Sequence, residues 1–291
     1  MRIGVYGRTF VKPDQMEYVG RFFDFLKSQN VEISVHRILK EQLTNHQYTN
    51  EFKTFQTVLK PNEIDVLFSL GGDGTVLDTL RIVKDTEIPV IGVNMGRFGF
   101  LASSRQEDLK ETFNKIVHGK YTIESRSVLK LTSDVRLFNG FPYGLNDFII
   151  HKKDTSNMIT VHTKLNDESL NSYWADGLIL ATPTGSTGYS LSCGGPIIYP
   201  GSASLVLTPI APHNLSIRPL VISDQGQLSF EVEGRTDDFL VTIDSQSETI
   251  QKGSKLTVSK ASFNFNMIRL DGHSYTKTIR NKLLYGFDKR N

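Results

Sequence analysis

Residues 65–77 read Asp65-Val66-Leu67-Phe68-Ser69-Leu70-Gly71-Gly72-Asp73-Gly74-Thr75-Val76-Leu77. Asp65 to Leu70 is an apolar run of strand length that ends in a glycine turn. From Thr75 to Val83 the apolar residues Val76, Leu77, Leu80 and Val83 recur at helical spacing. A strand, a glycine turn and a helix in direct succession form the unit from which α/β sheets are built. Glycines let the backbone turn sharply and approach a ligand with no Cβ in the way. Free N–H groups at a helix start suit phosphate. The loop lacks the Gly-Lys-Ser/Thr of a Walker loop, and its glycine spacing differs from the dinucleotide fingerprint. Asp73 is the unusual element, because a carboxylate beside a phosphate cradle is unfavourable unless it has a task. It could accept a proton from an attacking hydroxyl or help hold magnesium. The bland alternative is a tight turn with Asp73 as the helix cap.

The same rhythm extends on both sides. Ile3 to Gly7 reads as a strand, and Met16, Val19, Phe22, Phe23 and Leu26 as a helix opened by Pro13-Asp14. Val31, Ile33 and Val35 alternate as a strand does. Glu41 to Lys60 is polar, a helix or a loop, and Pro61 ends it. Ile88 to Val93 is a further buried-type strand. Leu109, Phe113, Ile116 and Val117 mark a helix ending at Gly119. After about Tyr121 the pattern changes to short strands separated by turn residues: Met158–Leu165, Leu228–Val232, Phe239–Ile243 and Lys255–Val258. Thr276 to Tyr285 returns to helical spacing. The expectation is an α/β domain over 1–121 with a Rossmann-like parallel sheet. A β-rich, sandwich-like domain follows over 122–270, and a helical tail over 271–291 packs back on the first domain. The two domains are expected to enclose a site.

Composition narrows the function classes. The chain has 291 residues, 38% hydrophobic and 22% charged, enough for a real core. The formal net charge is only +2, with no basic stripe, which argues against a nucleic-acid binder. The one cysteine, Cys193, cannot form an internal disulfide, and no Cys/His cluster has zinc spacing. Met1 to Phe10 offers no signal peptide, and no apolar run approaches the ~20 residues that span a bilayer. No metal-binding cluster and no membrane partner are expected, and the expected location is the cytoplasm.

Four motifs select among chemistries. Gly71-Gly72-Asp73-Gly74-Thr75 resembles the GGDGT motif of NAD kinases, shared with diacylglycerol and sphingosine kinases. Gly92-Val93-Asn94-Met95-Gly96-Arg97-Phe98-Gly99-Phe100-Leu101 resembles the NAD kinase segment G-x-N-x-G-x-x-G-F-L. Leu145-Asn146-Asp147 resembles the amide–carboxylate pair that this family uses on a nucleotide. Asp176 to Ser192, running on through Gly194-Gly195-Pro196, closely resembles the second NAD kinase signature, with Gly188 where the family usually has alanine. Ala211 to Val221 and Asp244-Ser245-Gln246 also look like family segments. His213 and Arg218 are kept out of the catalytic set, and Trp174 is read as packing.

What the resemblance to NAD kinases implies is ATP-dependent phosphorylation of the 2′-hydroxyl of NAD's adenosine ribose, with Asp73 as general base. Magnesium or another divalent cation would accompany ATP. Gly72, Gly74 and Thr75 would cradle phosphates. Asn94, Asn146, Asp147, Asp176, Thr187, Gly188, Tyr189, Ser190, Leu191, Ser192 and Gln246 would complete the nucleotide-binding set. A homodimer or homotetramer is the family expectation. Two rivals remain: a lipid or sugar kinase sharing the glycine motif, and a sensor that binds NAD or NADP without transfer.

Overall fold

Parallel strands buried on both faces read as near-continuous apolar runs, and the opening strands of this chain do so. The computed structural model describes residues 1–8, 10, 13–44, 52–56, 58–96, 99–102, 104–153 and 157–283. The chain divides into two units, Met1–Ser125 with Phe265 onward, and Arg126–Asn264. The first carries β1 (Arg2–Gly7), α1 (Pro13–Ser28), β2 (Glu32–His36), α2 (Arg37–Thr44), β3 (Lys53–Phe55), β4 (Val66–Gly71), α3 (Asp73–Val83), β5 (Val90–Asn94), β6 (Ser104–Arg105) and α4 (Leu109–Val117). Of the polar stretch Glu41–Lys60, residues 45–51 and Thr57 lie outside the described residues. Its remainder completes α2 and forms the short strand β3.

The strands of this unit stand in the order β5-β4-β1-β2-β3, all parallel, with Ile3 opposite Val66 and Leu67 opposite Val90. β6 joins the end of β5. Val19, Phe22, Phe23 and Leu26 of α1 and Phe113 and Ile116 of α4 pack with Ile3, Val5, Phe68, Ile91 and Val93 in one core. The helical spacing read from the sequence is therefore the spacing of buried side chains. Gly7, Gly71 and Asn94 end adjacent strands, so the glycine turn opens at the carboxyl edge of the sheet, where open α/β sheets bind ligands.

β7 (Tyr121–Ser133) leads into the second unit. There follow β8 (Tyr143–Gly144), β9 (Asp147–Lys152), β10 (Ile159–Leu165), β11 (Glu168–Ala175), β12 (Gly177–Ala181), α5 (Tyr189–Ser192), β13 (Ser204–Ile210), β14 (Leu220–Ser223), β15 (Leu228–Glu233), β16 (Asp238–Ile243) and β17 (Gln246–Gln251). One antiparallel sheet has the order β14-β13-β12-β9-β16-β17. Its residues Phe148, Ile150, Leu178, Leu180, Leu205, Leu207, Phe239 and Val241 face a core shared with Ile159, Val161, Leu228, Phe230 and Val258 from the other strands. Two sheets that alternate inward residues in this way form a sandwich. The outer face of the six-stranded sheet is also apolar, since Ile149, Ile179, Ala181, Val206 and Ile210 gather with Ile198. Double burial explains why Gly177–Ala181 reads as continuously apolar.

The expected short strand Lys255–Val258 is the start of a much longer one, β18 (Leu256–Leu270). α6 (Tyr275–Leu283) follows; Leu284 and Tyr285, included in the expected helix, lie outside the described residues. β18 leaves the second unit and returns the chain to the first, where Met267 pairs with Val90 and Ile268 and Leu270 join the core. Among the described residues no helix is long and apolar enough to cross a membrane.

Candidate active site

In the first unit the sequence places Asp73 at the first position of α3, after Gly72, whose carbonyl accepts from Thr75 and Val76 at 3.0 and 3.2 Å. The carboxylate does not cap its own helix. It reaches across to the segment after β5. Oδ2 accepts the N–H of Phe100 at 2.7 Å, and Oδ1 accepts those of Leu101 and Ala102 at 2.9 and 3.0 Å. Gly99 permits this approach, because a Cβ there would stand 1.8 Å from Asp73 Oδ1. The two motifs that the sequence presents separately are thus one structure, a carboxylate clamped by the backbone of Phe100–Ala102. A carboxylate has about four lone-pair sites. The clamp uses three, one of them on Oδ2, and leaves Oδ2 a position for a further proton.

Asn94 is buried at the end of β5, and its Oδ1 accepts the N–H of Gly96 at 2.6 Å. It thereby shapes the same loop. A cleft of about 310 Å³ opens beside it, lined by Asn94, Gly96, Arg105, Gln106 and Glu107. Arg97 and Phe98 of the motif lie outside the described residues.

In the second unit, Asn146 and Asp147 precede and begin β9. The carboxylate of Asp244, from the family-like segment Asp244-Ser245-Gln246, holds them. Asp244, at φ 49° in the two-residue hairpin between β16 and β17, accepts the N–H of Leu145, Asn146 and Asp147 at 2.9, 2.7 and 3.3 Å. Asp147 itself is 4% exposed. Burial, reinforced by the charge of Asp244, pushes its carboxyl up to about 7. Gln246, next in the hairpin, is exposed.

The loop after β12 approaches this pair closely. A Cβ on Gly185 would lie 2.1 Å from the Asn146 carbonyl oxygen. A methyl at Gly188 would stand 3.2 Å from Gly185 O, 3.7 Å from Asn146 Nδ2 and 3.9 Å from Asp147 Oδ2. The glycine lets this turn lie directly beside the amide–carboxylate pair.

Several hydroxyls of this loop bond within the protein, to the loop itself or to adjacent segments. Thr182 Oγ1 donates to Leu145 O at 2.6 Å, Ser186 Oγ to Pro183 O at 2.7 Å and Thr187 Oγ1 to Thr184 O at 3.2 Å. Ser190 is fully buried and bonds Thr208 at 2.8 Å. Tyr189 presents its ring to solvent, Ser192 is exposed, and Thr187, Gly188 and Leu191 are half-buried.

Asp176 stands apart from Asn146 and Asp147. Asp147 pairs with Ala181 at one end of β12, and Asp176 precedes Gly177 at the other. At about 3.4 Å per residue the two are separated by roughly 17 Å along the strand. Asp176 is ion-paired with Lys152 at 2.6 Å. Trp174 is half-exposed, and its ring lies on that of His213 with centroids 4.0 Å apart. Arg218 donates to Leu215 O and Ile217 O of its own loop, at 2.6 and 2.9 Å.

The chain matches the ATP-NAD kinase N-terminal domain over residues 9–121 and the ATP-NAD kinase C-terminal domain over residues 145–270. It is 40% identical over 293 residues to the NAD kinase of Cytophaga hutchinsonii, covering 100% of both chains. The fold is that of yeast NADH kinase, whose structure complexed with NADH superposes with a TM-score of 0.86 at 20% identity, covering 99% of this chain and 88% of that one. An NAD kinase from Archaeoglobus fulgidus in complex with ATP gives a TM-score of 0.73 at 25% identity, with 97% of each chain covered. A full-length relative at this identity, together with both domain matches, establishes that the chain belongs to the NAD kinase family.

Proposed function

We propose that the chain transfers the γ-phosphoryl group of ATP to the 2′-hydroxyl of the adenosine ribose of NAD, giving NADP and ADP. The observation that carries the catalytic part is the clamped Asp73 carboxylate at the mouth of the glycine turn, with one acceptor position left on Oδ2. The ribose oxygen bonds to phosphorus as the bond from the γ-phosphorus to the β,γ-bridging oxygen breaks. ADP leaves with that electron pair, and Asp73 takes the hydroxyl proton. Gly72, Gly74 and Thr75 line the turn that would receive the phosphates. Asn146 and Asp147 would read ribose or base hydrogen-bonding groups, with Tyr189 offering a ring face to a base. Asp176 would contact a more distant part of the dinucleotide.

Among the described residues no three His, Cys, Asp or Glu side chains gather to cage a metal. Magnesium bound with ATP is held mainly by the substrate phosphates, with one or two protein carboxylates. Such an ion would supply charge neutralisation on the phosphates, and Asp73 is the carboxylate of the glycine turn that could help hold it. A cytoplasmic homodimer or homotetramer completes the reading, and light scattering of the purified protein tests the assembly.

The functional test is a coupled assay for NADP with purified protein, NAD, ATP and magnesium, beside Asp73→Asn. Loss of general base catalysis predicts a fall in turnover of about two to four orders of magnitude. Turnover near that of the parent would remove Asp73 from the base role. Asparagine also has a single acceptor oxygen, so it leaves part of the Phe100–Ala102 clamp unmade. A modest fall in melting temperature should accompany the loss of rate.

A further inference from the structure

Phosphoryl transfer gathers negative charge on the phosphate oxygens, and the Gly71–Thr75 turn contains no lysine or arginine to meet it. A cation reaches the turn from a different element. Arg8 follows β1, the neighbour of β4 in the parallel sheet. Its Nη1 lies 3.7 Å from the point that a Cβ on Gly74 would occupy. The guanidinium is held in one orientation. Nε donates to Asp78 Oδ2, and Nη2 donates to Asp78 Oδ1 at 2.5 Å. Tyr6 adds its hydroxyl to Asp78 Oδ2 at 2.8 Å, and the Tyr6 ring is buried with its edge against His36. Asp78 lies four residues after Gly74 on α3, on the same face of the helix as the turn. The side-on fork uses the Nε and Nη2 edge of Arg8, and Nη1 is the nitrogen nearest the glycine turn. The Arg8 side chain is 52% exposed, so the ion pair adds little to stability, whereas an oriented guanidinium suits phosphate.

We propose that Arg8 is a phosphate-binding cation of this kinase, holding the terminal phosphates of the donor over Gly72–Thr75, with Asp78 and Tyr6 as the residues that position it. The inference rests on ATP seating at the glycine turn. Loss of a charge-assisted hydrogen bond predicts that Arg8→Ala lowers kcat/KM for ATP by about ten- to a hundredfold. KM for NAD should stay within about twofold and the melting temperature nearly unchanged. Arg8→Lys, which keeps the charge but not the fork, should recover only part of the loss.

Removing Arg8 also bares the Asp78 carboxylate beside the phosphates, so the double variant Arg8→Ala/Asp78→Asn is the control. It should remain impaired with ATP. Unchanged kcat/KM for ATP in Arg8→Ala would overturn the proposal. So would recovery to parental rates in the double variant, which would reduce Arg8 to a screen for Asp78. A defect confined to KM for NAD would place the guanidinium on the acceptor and equally overturn it. No NADP from the parent protein would instead defeat the kinase reading itself, and this inference with it.

Discussion

Asp147 is a carboxyl group at 4% exposure beside the carboxylate of Asp244, and burial first, then that charge, raises it to about 7. The folded value lies above the ordinary carboxylate value of about 3.9. The proton on Asp147 therefore stabilises the fold fully below about pH 4, and that contribution is lost as pH rises through about 7. Asp147→Asn should raise the melting temperature of the ligand-free protein at pH 8 by several degrees and have a smaller effect at pH 5. Differential scanning fluorimetry across that range checks the sign, and a variant less stable than the parent at pH 8 would contradict it. The Asp244 carboxylate satisfies the N–H groups of Leu145 to Asp147. Asp244→Ala should cost about 2–4 kcal/mol in urea unfolding, since it leaves buried backbone donors without their acceptor.

At the scale of elements, two glycines set how closely loops meet. A methyl on Gly99 would sit on Asp73 Oδ1. Gly99→Ala should therefore pull the Phe100–Ala102 segment off the carboxylate and lower NADP formation at least about tenfold, as overpacking of about 1–3 kcal/mol displaces the clamp. Parental activity in that variant would show that the clamp is dispensable. Gly188 is less tightly placed, since a Cβ there would meet its nearest neighbour, the Gly185 carbonyl oxygen, at 3.2 Å. The glycine turn and the helix after it were legible in residues 65–83, where β4 and α3 lie within a residue or two of the expected strand and helix. The Asp73 clamp was not, because its partners stand 27 to 29 positions away. No local period records such a contact. The same holds for the Ser/Thr-rich loop after β12. Its residue types suggest donors for a ligand, but only the packed loop shows that Ser186 spends its hydroxyl inside it and Ser190 on Thr208 of β13.

For the molecule as a whole, the chain leaves the first unit after Ser125 and re-enters it at Phe265. Ile268, 2% exposed, completes a core built mainly from residues before position 120. Ile268→Ala should destabilise the protein by about 2–5 kcal/mol, read as a lowered urea midpoint. A neutral result would mean that the first unit holds without the returning strand.

The sequence by itself determined the α/β rhythm of the opening half, the β character of the second half and the family, because strand and helix periods and contiguous loop motifs are local properties. Tertiary structure alone decided that β18 runs for 15 residues and crosses between units. It also decided that Asp244 rather than a nearby side chain holds the Asn146–Asp147 turn, and that Arg8 is locked on Asp78 beside Gly74. Each of these joins residues about 70 or more positions apart. Contacts of this kind depend on how distant segments are packed together, which leaves no trace in the spacing of neighbours along the chain.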